Sequence, residues 1–195
     1  DYDGTKTGDY YLYLQRLNNP GNTQPITFGQ TLFGSILSPA QMDTFTFTAN
    51  AGDKVLVRMS KSAGTFWPKI RVFSPTGTQL CETYGSVRAE IASCNLTVNG
   101  SYSILAFDYD GNETGDYYLY LQRLNNPGNK EPISFGQILS GSILMPAQMN
   151  TYTFTASAGD KVLVRMSKSA GTFWPKIRVY SPSGTQLCEM YGSAT

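Results

Sequence analysis

Oxygen-bearing side chains recur along Asp108-Tyr-Asp110-Gly-Asn112-Glu-Thr-Gly-Asp116, at positions 1, 3, 5 and 9 of that segment. Alternating acidic side chains of this kind can converge on a hard cation such as calcium. The match to a calcium loop is partial. Glycine stands at position 4 instead of 6, and position 12 is Leu119 where a bidentate glutamate is needed. The matching segment at the start of the chain keeps only Asp1, Asp3 and Asp9. A polar hairpin loop, with Asp and Gly supplying turn geometry, uses the same residues and is the better reading. Calcium on Asp108, Asp110 and Asp116 is the weaker alternative, and no other cofactor is expected.

Three N-x-[ST] acceptor motifs follow one another: Asn95-Leu-Thr97, Asn99-Gly-Ser101 and Asn112-Glu-Thr114. Such motifs mark exposed loops of secreted proteins. Their rival explanation is chance in a chain rich in Thr, Ser and Asn. Asn112 is matched by Thr5 in the earlier copy, so that motif is not repeated.

Cys81 and Cys94 flank a strand-turn-strand stretch, Glu82 to Ser93, which predicts a hairpin-like disulfide. Closing a loop of this size contributes about 3 kcal/mol in the chain-entropy model. Cys188 repeats Cys81, and its partner is expected beyond Thr195; a free buried thiol is the alternative. Disulfide use points outside the reducing cytosol.

Trp67 and Trp174 each sit in Gly-Thr-Phe-Trp-Pro. If Phe66 fills the core ahead of Ile70, alternation turns Trp67 outward. Tyr118 and Tyr120, with Tyr11 and Tyr13 in the earlier copy, are also expected to point off the core. An outward aromatic patch can stack on a sugar face or anchor a protein contact. Contact between modules is the preferred role, ahead of ligand binding; local packing of Trp against its Pro competes with both.

Other chemistry is excluded by what is missing. The chain has no histidine, which removes His-based acid–base catalysis, Ser-His-Asp and Cys-His nucleophiles, and the commonest metal ligand. No Ser-x-x-Lys occurs, and no acidic pair has glycosidase context. An enzyme is therefore not expected. Charged residues make up 15% of the chain and the net charge is +1, against roughly 25% charged in an ordinary domain. That balance argues against a nucleic-acid partner. No apolar run approaches the ~18 residues of a membrane span.

The elements behind these residues read as strands. Phe45 and Phe47 share one face of Asp43 to Ala49, and three threonines share the other. Val55, Val57 and Met59 alternate with Leu56, Arg58 and Ser60. Ile70 and Val72 alternate with Lys69 and Arg71. Tyr117, Leu119 and Leu121 alternate with Tyr118 and Tyr120. No stretch sustains a 3.6-residue period. About eight such strands, punctuated by turns such as Asn99-Gly100, predict an all-β chain of antiparallel β-sandwich or jelly-roll modules.

The modules are in tandem. Asp1-Tyr-Asp-Gly returns at Asp108, Trp67 at Trp174 and Cys81 at Cys188, an offset of 107 residues. Roughly 72 of the 88 overlapping positions are identical. The cluster Asn18-Asn-Pro-Gly-Asn22 recurs at Asn125 to Asn129 and reads as a linker. The expected division is residues 1–22 as the last strand of a preceding module plus linker, 23–129 as a complete module, and 130–195 as the beginning of a following one. The opening Asp1 and the unmatched Cys188 suggest a window on a longer array.

In order, Ile26-Thr-Phe-Gly-Gln, Gly34-Ser-Ile, Asp43-Thr-Phe-Thr-Phe-Thr-Ala-Asn-Ala-Gly-Asp, Pro68-Lys-Ile-Arg-Val-Phe-Ser-Pro-Thr-Gly, Gly100-Ser-Tyr-Ser-Ile-Leu and Thr114-Gly-Asp-Tyr-Tyr-Leu resemble the bacterial pre-peptidase C-terminal (PPC) domain. The resemblance covers the module and both partial copies, mostly through turn glycines and core aromatics. It implies a secreted, non-catalytic β-sandwich, appended in that family to proteases and other extracellular proteins. Some relatives bind collagen, polysaccharide or calcium. Near-identical tandem copies depart from the usual single appendage. The resulting expectation is an extracellular or cell-surface structural protein, its modules packing end to end into a stalk or filament with itself as partner and glycans possible. A secreted polysaccharide- or protein-binding accessory module is the alternative.

Overall fold

In the computed structural model, which describes residues 1–192, the alternating segments form strands and no helix occurs among the described residues. Nine strands lie between residues 23 and 123. They are β1 (Thr23–Pro25), β2 (Gln30–Ile36), β3 (Met42–Ala49), β4 (Lys54–Lys61), β5 (Pro68–Phe73), β6 (Gln79–Tyr84), β7 (Arg88–Asn95), β8 (Gly100–Asp108) and β9 (Gly115–Arg123). They build two sheets, ordered β1-β3-β8-β5-β6 and β2-β9-β4-β7. All pairings within them are antiparallel except β1 with β3.

One face of each strand is apolar, and the two apolar faces close on each other. Phe45 and Phe47 meet Val55, Val57, Met59, Ile70, Val72, Tyr117, Leu119 and Leu121 in a single core, with Phe66 fully buried among them. Burying a side chain of this size contributes about 1.5–3 kcal/mol, so the period-2 pattern fixes the two-sheet layering.

Cys81 and Cys94 form a disulfide, with Cα atoms 6.1 Å apart. It is not the within-hairpin bond that the sequence spacing suggests. Cys81 lies on β6 at the edge of the first sheet, and Cys94 lies on β7 at the edge of the second. The chain crosses between layers at residues 85–87, so the bond fastens sheet to sheet.

Beyond Asn129 the strands are β10 (Lys130–Pro132), β11 (Thr151–Thr153), β12 (Lys176–Tyr180) and β13 (Gln186–Tyr191). Their pairings repeat the earlier module. Lys130 pairs with Thr151 as Thr23 pairs with Thr44, and β12 with β13 even repeats the register shift of β5 with β6. The pairs stay separate because β8 bridges β3 to β5 in the complete module and nothing does so here. Residues 161–168, the counterpart of β4, form no strand; β4 is hydrogen-bonded by β7 and β9, which have no counterparts within the chain.

The same cause acts at the start. Residues 8–16 and 115–123 are both Gly-Asp-Tyr-Tyr-Leu-Tyr-Leu-Gln-Arg. The second copy is β9, held between β2 and β4; the first has no such neighbours and forms no strand. The strand expected within residues 1–22 is therefore absent. Residues 193–195, the end of the expected third segment, lie outside the described residues.

Candidate functional site

The side chains that face away from the core are what a module presents. On the second sheet, register places Glu90 of β7, Arg58 of β4 and Tyr120 of β9 in one row across three strands. Leu56 and Gln122 form the adjacent row. Alternation turns all of them off the core. Leu56 and Tyr120 are nevertheless only 1% exposed. They are covered by the next repeat: Leu56, Tyr120, Leu124 and Ala147 form a cluster with Met149 and Tyr180 packed against it. Tyr120, expected off the core in an aromatic patch with contact between modules as its preferred role, is buried against the next repeat. Its neighbour Tyr118 is half-buried, edge-on to Phe33.

Polar groups ring this apolar contact. The Gln122 amide nitrogen donates to the Thr151 hydroxyl at 2.8 Å and to the Gly128 carbonyl at 2.9 Å. The Gln122 amide oxygen accepts the backbone N–H of Gly128 and of Arg123. Asn125 at the start of the linker accepts the Lys54 backbone N–H at 3.1 Å. Arg123 donates to the Asn126 carbonyl at 2.7 Å. Asn125, Asn126 and Gly128 of the linker are thus tied to the preceding module, while Gln122 crosses to Thr151 of the next repeat.

The same joint occurs one period earlier. Gln15 donates to the Thr44 hydroxyl at 3.0 Å and to the Gly21 carbonyl at 2.7 Å, and accepts from Gly21 and Arg16. Gly77 lies on Leu17 and Asn18 as Gly184 lies on Leu124 and Asn125. Both glycines have positive φ, +83° and +74°, and a Cβ on either would come within 3.1–3.3 Å of that backbone.

Charge crosses the joint. Glu90 is held by Arg58 of its own module at 2.5 Å and by Arg178 of the next repeat. Arg178 also binds Glu189, which Lys176 meets at 3.0 Å. Burial alone would raise the Glu90 carboxyl, but the two guanidinium groups outweigh it and hold it below its ordinary value. Glu189 is held down to about 2 by hydrogen bonds from Tyr191, Arg178 and Lys176. Burial lowers Arg58, whereas the carboxylates around Arg178 overcome its burial and raise it.

Other residues singled out by sequence lie elsewhere. Trp67 and Trp174 are 47% and 70% exposed. Tyr84 and Tyr109, both exposed, stack with ring centroids 4.2 Å apart. Tyr11 is exposed, and the Tyr13 hydroxyl lies 3.4 Å from that of Thr44. Asn95, Asn99 and Asn112 are all exposed. Asp108 is buried and accepts the backbone N–H groups of Trp67, Asn112 and Glu113, while Asp116 accepts from the Ser35 hydroxyl. These carboxylates organise their loop and do not converge with exposed Asp110; no metal-holding group of three His, Cys, Asp or Glu exists among the described residues. Cys188 is exposed, with a free thiol.

Sequence reasoning missed Leu56, Glu90, Gln122, Thr151 and Arg178. One signal was available: Val55-Leu56-Val57 is apolar on both faces of its strand, the mark of burial on two sides. The charged partners carried no such mark, since either looks like an ordinary solvated residue.

No protein-family model matches the chain, and no curated protein matches it. Among solved structures, the pre-peptidase C-terminal domain of a Bacillus anthracis collagenase is similar at 18% identity and a TM-score of 0.45, covering 54% of this chain and 99% of that one. PliG of Aeromonas hydrophila, a periplasmic inhibitor of g-type lysozyme, is similar at 19% identity and a TM-score of 0.39, covering 52% and 96%. PliG of Salmonella Typhimurium is similar at 18% identity and the same TM-score, covering 53% and 98%.

Proposed function

We propose that this chain is a non-catalytic extracellular structural repeat whose modules stack, the second sheet of one on the first sheet of the next, into a cell-surface stalk or filament. The observation that carries this reading is the joint repeated at the 107-residue offset: Gln15 on Thr44 and Gln122 on Thr151. A contact between two different faces can propagate from copy to copy, as an open stack wherever its rotation does not close into a ring. The expected end-to-end packing thereby takes a specific form, sheet face on sheet face across the linker. The cross-sheet disulfide suits an oxidising exterior and resists shearing of the two layers. The exposed acceptor asparagines suit a glycosylated surface.

A second reading, a secreted polysaccharide- or protein-binding module, is favoured by exposed Trp67 and Trp174 and by the Tyr84–Tyr109 stack. Negative-stain imaging of the natural material, with peptide mass spectrometry, separates the two. Rods or filaments of uniform segments, with or without hexose on peptides carrying Asn95, Asn99 or Asn112, are expected. Isolated globules that bind glycan through the tryptophans would sink the structural reading.

A further inference from the structure

The complete module carries a second copy of the surface that Arg178 uses, and half of it is open. Arg71 is the counterpart of Arg178, and Ala40 and Met42 are those of Ala147 and Met149. Arg71 binds Glu82 as Arg178 binds Glu189. Beyond that they diverge. The Arg178 side chain is 6% exposed and its outer nitrogen meets Glu90; the Arg71 side chain is 31% exposed, with no second carboxylate among the described residues. Ala147 is buried and Ala40 is not. A groove of about 250 Å³ remains there, lined by Ala40, Met42, Lys69, Arg71 and Phe107 among others.

We infer that this groove is a receptor for the Leu56–Arg58–Glu90–Tyr120 face of a second copy of the same module once that face is released from its own following repeat, with Glu90 of the incoming copy completing the Arg71 fork. The inference rests on the stacked reading above. Its support is complementarity already realised once in the chain: an identical arginine, alanine and methionine seat that face in the next repeat. A planar guanidinium with one edge engaged suits a bidentate oxyanion, and Arg178 takes the Glu90 carboxylate in that role. Incoming β9 replaces residues 8–16, which have the same sequence, form no strand and are largely exposed. In the chain as it stands, residues 130–192 occupy the Glu90 face. Tethering gives them an effective concentration of about millimolar, so a second copy cannot compete at ordinary concentrations.

Arg178→Glu should release that face. The measurements are sedimentation of the full chain at about 100 μM, below the tethered effective concentration, and hydrogen exchange over residues 145–151. Expected are a monomeric wild type, an Arg178→Glu chain that associates into open-ended oligomers, and an Arg71→Glu/Arg178→Glu chain that does not. Arg178→Ala, which adds no charge, should associate as well and guards against misfolding of the Glu variant. If residues 145–151 lose protection but both Arg178 variants stay monomeric, the groove is not the receptor. Association undiminished by Arg71→Glu also overturns the assignment. Unchanged protection at 145–151 would instead overturn the stacked joint itself.

Discussion

Arg178 meets Glu90 across a separation of 88 residues and across the boundary between two repeats. Glu90 already has a partner in Arg58, directly opposite on the neighbouring strand. The carboxylate is thus shared between an intramodular and an intermodular arginine, and both sides of the joint depend on it. Breaking a buried pair by removing one member typically costs about 3–5 kcal/mol, because the charge left behind stays buried. Glu90→Gln is therefore expected to open the joint well before it unfolds the module. Hydrogen exchange should show lost protection over residues 145–151, with Val57 and Leu119 unchanged.

Acid should loosen the same joint. Glu90 and Glu189 both lie below their ordinary value of 4.5, Glu189 at about 2. A carboxyl lowered by folding contributes stability that is fully present above its unfolded value and is lost as pH falls through the folded one. Joint stability should be flat above about pH 5 and decline between about 4.5 and 2. Protection of residues 145–151 measured across that window checks it. A decline that begins near neutrality would contradict the ion network, as the chain has no histidine to titrate there.

The disulfide acts on a different link. Cys81–Cys94 fastens β6 of one sheet to β7 of the other. Replacing both by serine should lower module stability by about 3 kcal/mol. Chemical denaturation of the oxidised and the double-serine chains would measure this. Because the bond lies away from the Leu56–Tyr120 face, the protection of residues 145–151 should not fall ahead of the core.

These outcomes bear on how much of the molecule its sequence discloses. Period-2 alternation correctly separates Val55, Val57 and Met59 from Leu56, and Phe66 from Trp67, because the core side of a strand is a local property. Whether a strand forms is not local. The identical segments 8–16 and 115–123 differ only in their neighbours, and one is irregular while the other is the middle of a sheet. Tyr120 shows the same limit at the surface. Its outward direction is legible, but its burial depends on Ala147 and Tyr180, which the linker brings over it. The loop of Asp108 is legible as a turn; the inward aim of that carboxylate, which accepts three backbone N–H groups, is not legible from the acidic spacing.

Trp67 separates the structural reading from the binding one. The residue is half exposed, while its backbone N–H is held by Asp108 at 2.8 Å. Trp67→Ala should therefore change module stability by less than about 1 kcal/mol, in keeping with a surface site. Under the structural reading, filament length and the protection of residues 145–151 are unaffected. A glycan-array signal abolished by this substitution would favour the binding reading.

Gly184 tests the joint without touching charge. Its φ of +74° is costly for any residue with a Cβ, and that Cβ would sit 3.1 Å from the Asn125 nitrogen and the Leu124 Cβ. Backbone strain and crowding act together at the seam, whereas the core of residues 23–123 makes no use of this position. Gly184→Ala is expected to weaken the joint by about 1–2 kcal/mol and to leave the denaturation midpoint of the complete module unchanged. Gly77→Ala meets the same geometry against Leu17 and Asn18, at 3.2–3.3 Å. If the two joints are one repeated device, the pair of variants should release residues 124–125 and 17–18 respectively, each without the other. Loss of both seams from a single substitution would mean that the joints are coupled through the module and do not act as independent copies.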